Sequence, residues 1–148
     1  MPLAAFSLLS LIALATLCYT LFDIFASQAS SRIDANLSAI IFNGLGALVP
    51  LAAYLAAKWH RSPDTRITMA GFVYSILAGI AIALFSILLI KIFERAGLAY
   101  VMPLIYGGSI ALASLAGWLL FAEHVSWLQG AGIFLVVAGI GLVIAGKI

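Results

Sequence analysis

Long apolar segments separated by short polar connectors make up most of this chain. Five of them are predicted to be helices, at about residues 3–27, 37–57, 69–92, 98–121 and 127–146. Each is close to or above the ~20 residues that an α-helix needs to cross ~30 Å of hydrocarbon. The pattern therefore predicts an all-α polytopic membrane protein with five transmembrane helices, forming a single domain over residues 1–148.

Polar residues in the connectors predict where several helices begin. Asp34 or Asn36 is placed to cap the second helix, since Asp and Asn side chains accept hydrogen bonds from the first free N–H groups. Pro63, which disfavours a continuous helix, lies in the connector before the third helix. Ser126 and Gln129 have the spacing of a capping box, which predicts that the fifth helix begins at residue 127.

The last two apolar segments are joined only by the short connector AEHVS, so they are predicted to form an antiparallel hairpin across the bilayer. Small residues recur along both segments at intervals of four. Such ladders let helix backbones approach closely in lipid, where no hydrophobic effect drives helices together. We therefore predict an interface with other helices at Ser109, Ala113, Gly117, Gly141 and Ala145.

Composition supports the membrane assignment and reduces the kinds of functional site that the chain is expected to carry. The chain is 66% hydrophobic and 8% charged, with a mean hydropathy of +1.25, whereas soluble domains are about 25% charged. A net charge of +2 gives no indication of nucleic acid as a partner. Cys18 stands alone, and His60 and His124 lie in connectors without companion ligands. We therefore predict no metal, no cofactor and no enzymatic activity.

The positive charges are distributed almost evenly between the two sides of the membrane. Five spans put the chain ends on opposite sides, and the connectors then alternate between them. One side carries Lys58, Arg61 and Arg66, and the other carries Arg32, Lys91, Arg95 and Lys147. Because orientation follows the asymmetry of Lys and Arg, this balance predicts insertion in both orientations.

A polar stripe on the first helix is the leading candidate for chemistry. It is formed by Thr16, Tyr19, Thr20, Asp23 and Ser27, at helical spacings of three and four. An intramembrane acid normally faces the bundle interior or a water-filled cavity, where Asp23 would alternate between a proton and a substrate. The alternative is that the helix ends earlier, leaving Asp23 in water beside Arg32.

Two further helices carry candidate residues beside a proline. The second helix has Asn43 and Tyr54, with Pro50 between them freeing a backbone carbonyl and favouring a kink. Kinked helices are common where transporters bind substrate, but a packing kink and an Asn43 bond to a neighbouring helix remain alternatives. On the fourth helix, Tyr106 follows Pro103; its ring would hold a cationic ligand or face lipid.

The end of the chain resembles a known family. Residues 94–146, ERAGLAYVMPLIYGGSIALASLAGWLLFAEHVSWLQGAGIFLVVAGIGLVIAG, are similar to the closing half of an EamA-type repeat of the drug/metabolite transporter superfamily. There a proline opens the fourth helix, an acidic residue follows that helix and a Gly/Ala-rich fifth helix closes the repeat. The matching positions here are Pro103, Glu123, Gly130, Gly132, Ala138 and Gly139. Glu123 also suits the beginning of the fifth helix, where negative charge is favourable, so we interpret it as structural.

The resemblance implies a half-size transporter. Full-length members resemble two five-helix repeats of opposite orientation, so the second half here would come from another copy or from a related chain. The four-span small-multidrug-resistance branch is similar in forming dual-orientation homodimers, but this chain has five spans and no glutamate in its first helix.

The predicted function is alternating-access transport of small metabolites or lipophilic or cationic compounds across the cell (inner) membrane. The predicted partners are membrane lipids, a small-molecule substrate and a second chain. The residues proposed to bind substrate or protons are Asp23, Tyr19, Asn43, Tyr54 and Tyr106, with Pro50, Pro103 and Glu123 in structural roles. The alternative is a non-transporting subunit that packs in a larger membrane complex.

Overall fold

The computed structural model describes residues 8–59 and 68–146, and within them every regular element is an α-helix. The helices are α1 (Leu8–Ser30), α2 (Ala35–Trp59), α3 (Met69–Phe93), α4 (Leu98–Leu120) and α5 (Trp127–Ala145). All five are long and apolar enough to cross a membrane, which confirms the predicted fold class of a multi-pass membrane protein. The predicted beginning of the first helix at residue 3 and the connector around Pro63 lie outside the described residues.

Local capping explains where three of the helices begin. The Asp34 Oδ1 atom accepts hydrogen bonds from the backbone N–H of Asn36 at 2.9 Å and of Leu37 at 3.1 Å, so Asp34 caps α2. The Thr68 side chain caps α3. The predicted capping box at the beginning of α5 is confirmed, with Ser126 and Gln129 each bonding the other's backbone N–H.

The chain divides between Arg95 and Ala96 into two compact units. We call α1, α2 and α3 the three-helix unit; within it, each helix contacts the other two. We call α4 and α5 the hairpin unit, in which these two helices pack against each other.

The three-helix unit is tightly packed at one end. Its buried residues are Asp23, Ala26 and Ser30 of α1, Ala35, Ser38 and Ala39 of α2, and Ser86, Leu89, Ile90 and Phe93 of α3. The end of α1, the beginning of α2 and the end of α3 therefore meet, as expected for helices that cross the membrane in alternating directions. Toward the other end, large apolar side chains such as those of Leu48 and Leu84 are exposed. That surface is available to lipid or to another chain.

In the hairpin unit, Gly107 of α4 lies close against α5. A Cβ atom placed on Gly107 would lie only 2.6 Å from the Cδ1 atom of Ile140 on α5. At the turn, Ala122 has a φ of 52°, and the backbone N–H of Glu123 donates to the Gly117 carbonyl oxygen at 3.1 Å. None of the residues Trp127–Ala145 of α5 is buried.

Candidate functional site

Asp23 is buried inside a membrane-spanning helix. Its side chain is 3% exposed, and α1 continues seven residues beyond it to Ser30, a rise of roughly 10 Å. Arg32 is exposed, and its guanidinium donates a hydrogen bond to the Gln28 carbonyl oxygen at 3.0 Å. The structure therefore does not place Asp23 in water at an exposed helix end. It places Asp23 three residues before Ala26 and seven before Ser30, two other buried residues of α1.

Asn43 joins α2 to α3. Its Nδ2 atom donates to the Ala39 carbonyl oxygen on its own helix at 2.8 Å and to the Ser86 Oγ atom on α3 at 3.0 Å. Ser86 in turn donates to the Ile82 carbonyl oxygen at 2.6 Å. The structure thus brings Asn43 into a bond with a neighbouring helix, which was one of the alternatives open from the sequence. Ser86 was not foreseen, because a single serine in an apolar run carries no pattern.

Asp23, Asn43 and Ser86 mark the boundary between the packed end and the open end of the three-helix unit. No residue of α1 from Ser10 to Phe22 is buried, and none of α3 from Met69 to Phe85 is buried. We call Asp23, Asn43 and Ser86 the polar layer. Among the described residues, no buried side-chain nitrogen or oxygen lacks a hydrogen-bond partner, so such polar groups are satisfied rather than strained.

An open groove of about 310 Å³ lies at this boundary, and all three helices contribute to it. We call it the Asn43 groove; it is lined by Tyr19, Phe22, Phe42, Asn43, Gly46, Ile82 and Ser86. Aromatic rings form its wall between α1 and α2, with the Phe22 and Phe42 ring centroids 5.1 Å apart in an edge-on arrangement. The Tyr19 and Phe22 centroids are 5.9 Å apart.

The rest of the predicted stripe on α1 does not form a buried face. Thr16 and Thr20 are exposed, and each hydroxyl donates at 2.9 Å to the carbonyl oxygen four residues earlier in the same helix. Ser27 is half-buried. A hydroxyl can bond its own helix without facing another one, so the spacing of the stripe does not by itself place these side chains against a neighbouring helix.

Two predicted tyrosines are not among the residues that line the Asn43 groove. Tyr54 is exposed on α2, eleven residues from Asn43 and thus roughly 16 Å along the helix. Tyr106 belongs to the hairpin unit, where it is half-buried and its carbonyl oxygen accepts a hydrogen bond from Ser109 Oγ. Pro50 and Pro103 both lie inside helices that continue past them.

The predicted interface residues divide into two groups. Ser109, Ala113, Gly141 and Ala145 are exposed, so they remain accessible to another helix. Gly117 is instead buried by the chain's own turn, since a Cβ atom there would lie 2.7 Å from Glu123 Oε2. The contact between α4 and α5 uses Gly107, which the ladder of small residues did not identify.

Neither a metal centre nor a match to a known protein identifies the activity. Within the described residues, no three His, Cys, Asp or Glu side chains come together as a metal site requires. Comparison with family models, with curated proteins and with solved structures returned no match. The candidate site therefore consists of the polar layer and the Asn43 groove beside it.

Proposed function

We propose that this chain is a half-size, EamA-like membrane transporter of the drug/metabolite transporter superfamily, acting in the inner membrane on small metabolites or lipophilic or cationic compounds. The observation that carries the proposal is the burial of Asp23 inside α1, one residue after Phe22, which lines the Asn43 groove. A carboxyl group is expensive to keep within a bilayer, and such groups typically serve substrate or proton pathways. A helix that only packed against a partner would not need one.

The packing of the three-helix unit suits alternating access. The groove lies where the buried residues of α1 and α3 end, while Leu89, Ile90 and Phe93 are buried on the other side of Ser86. Access from the second side requires those apolar contacts to separate and the open end to close. Pro50, which removes one backbone hydrogen bond from α2, is the position where that helix bends most readily.

A second chain completes the proposed transporter, as a homodimer or as a heterodimer with a related chain. Gly141 is exposed, and a Cβ atom placed there would meet nothing within 4 Å. We therefore expect Gly141→Leu to leave the fold of the chain intact but to separate dimers, because the larger side chain forces helices apart. Light scattering in mild detergent measures this, and a variant that remains fully dimeric would place the interface elsewhere.

Reconstitution of the purified chain into liposomes tests transport itself. Uptake of leucine, glucose and phenethylamine is followed against protein-free liposomes, with and without a pH gradient. The proposal expects protein-dependent uptake of at least one solute. An absence of uptake across a wider panel of metabolites and amines, with no solute raising the melting temperature, would contradict it.

A packing subunit of a larger complex is the second candidate function. It is favoured by α5, where no residue from Trp127 to Ala145 is buried although the helix is long enough to span the membrane. This candidate expects a different membrane protein to co-purify at fixed stoichiometry after mild solubilisation. The transporter proposal expects only copies of this chain or of a related one.

A further inference from the structure

We infer that the Asn43 groove binds a ligand whose head donates hydrogen bonds and whose body is apolar: a protonated primary amine or an amidine on a small hydrocarbon or aromatic group. The inference deepens the proposed function by naming a substrate class for the same site. Binding alone does not require transport, so the two can fail separately.

The hydrogen bonds that Asn43 makes within the protein use its amide nitrogen and leave its amide oxygen available to accept a hydrogen bond from a ligand. The Ala39 carbonyl oxygen can only accept, so the amide atom 2.8 Å from it must be the nitrogen. The second N–H of that nitrogen is donated to Ser86 Oγ at 3.0 Å, and the Ser86 hydroxyl proton is itself donated to the Ile82 carbonyl oxygen. The remaining hydrogen-bonding atom of Asn43 is the amide oxygen Oδ1, which can only accept hydrogen bonds.

A second acceptor lies one turn along α2. The Gly46 carbonyl oxygen would normally receive a hydrogen bond from residue 50, but Pro50 has no N–H to give. Gly46 lines the same groove, on the same helical face as Asn43. Gly46 is exposed, and a Cβ atom placed on it would meet nothing within 4 Å, so there is open space beside this stretch of backbone. Two acceptors at neighbouring positions suit a head with several N–H groups.

The other residues that line the groove indicate what kind of body and what charge the ligand has. Phe22, Phe42 and Ile82 are apolar, and none of the lining residues is charged. Aromatic ring faces attract cations rather than anions, because the ring face carries negative charge density. Asp23 directly follows Phe22 in α1 but is not one of the residues that line the groove. A volume of about 310 Å³ suits a small molecule.

Three probes that share one aromatic body test the head group. Phenethylammonium donates N–H bonds, phenethyltrimethylammonium carries the same charge without N–H groups, and 3-phenylpropionate is an anion that only accepts. Binding to the full chain in lipid nanodiscs is measured by calorimetry at pH 7. We expect phenethylammonium to bind at least about tenfold more tightly than its trimethyl analogue, and the anion to bind least. Equal affinity for both cations would overturn the inference, as would preference for the anion.

Two leucine variants test the location, because both sites have open space around them. A Cβ atom on Gly46 or on Gly44 meets nothing within 4 Å, but only Gly46 lines the groove. Gly46→Leu is expected to weaken phenethylammonium binding at least about tenfold, whereas Gly44→Leu retains wild-type affinity. Equal effects of the two variants would contradict this location.

Asn43→Leu tests whether Oδ1 is the acceptor. We expect this variant to show a smaller preference for phenethylammonium over its trimethyl analogue. An unchanged preference would show that Oδ1 is not the acceptor. If this variant fails to fold, the Gly46 and Gly44 pair still decides the location.

Phenethylammonium binding without uptake of any solute would support the inference and contradict the transport proposal. Uptake of leucine or glucose with no phenethylammonium binding would do the reverse.

Discussion

At the scale of single residues, polar side chains in these membrane spans are satisfied in two different ways. Thr16, Thr20 and Ser75 each donate to a carbonyl oxygen on their own helix, so they place no demand on a neighbour. Asn43 and Ser86 bond each other across α2 and α3. Only the second arrangement fixes how helices pack, and it is the one that adjoins the groove.

The Asn43–Ser86 bond should appear as a coupling energy. In a double-mutant cycle with Asn43→Ala and Ser86→Ala, we expect a coupling of about 0.5–2 kcal/mol, the range for hydrogen bonds between membrane helices. The measurement is the unfolding free energy in mixed micelles titrated with a denaturing detergent. Thr16→Ala combined with Asn43→Ala is the control and should be additive. Additivity in both cycles would mean that the bond contributes nothing to stability.

The residues of the site could be predicted only in part. Asn43 and Asp23 stand out because amides and acids are rare inside apolar segments. The burial of Asp23 depends on how far α1 continues and on what packs against it, and the packing is not a local property. Ser86 gave no indication of its role, since serine is common in membrane helices and often bonds its own backbone.

At the scale of elements, helix positions followed from the sequence and helix contacts did not. Apart from the beginning of α1, which lies outside the described residues, the apolar runs and the capping residues gave the observed ends to within about three residues, because both act locally. Which face packs depends on neighbours at a distance in the chain. The ladder through Ser109 and Ala113 is exposed and so remains accessible to another helix, while α4 meets α5 at Gly107, which the ladder did not identify.

The hairpin unit offers a matched pair of adjacent glycines to test that contact. A side chain at Gly107 collides with Ile140, whereas one at Gly108 meets nothing within 4 Å. We expect Gly107→Leu to lower stability by about 1–3 kcal/mol through overpacking, and Gly108→Leu to change it little. Thermal unfolding in detergent compares the two variants with the wild type. If Gly108→Leu were the more damaging, the packing of α4 on α5 would have to be revised.

At the scale of the whole molecule, much apolar surface is left without a protein neighbour in one chain. Large side chains such as Leu48, Leu112 and Leu142 are more than half exposed. Lipid covers such surface without cost, so exposure alone does not prove a partner. The proposed dimer rests instead on the family resemblance, on the exposed small residues and on the charge balance of the connectors.

That charge balance makes a prediction about orientation. With three Lys and Arg residues on one side and four on the other, we expect the chain to insert both ways. Reporters active only in the cytoplasm or only outside it, fused to the C-terminus, should both give signal. Two lysines added to one connector should shift the population to a single orientation. Strong signal from just one reporter in the unaltered chain would exclude an antiparallel homodimer.

The dependence of transport on Asp23 tests the central claim most directly. Asp23→Asn keeps the size and polarity of the side chain but cannot release a proton, and Glu123→Gln makes the same change at the exposed turn of the hairpin unit. The measurement is solute uptake into liposomes with and without a pH gradient, using a solute that the wild type transports. We predict that the gradient changes uptake by the wild type and by Glu123→Gln, and that Asp23→Asn folds but no longer responds to it. An unchanged response in Asp23→Asn would contradict the account, because the buried carboxyl group would then have no part in coupling.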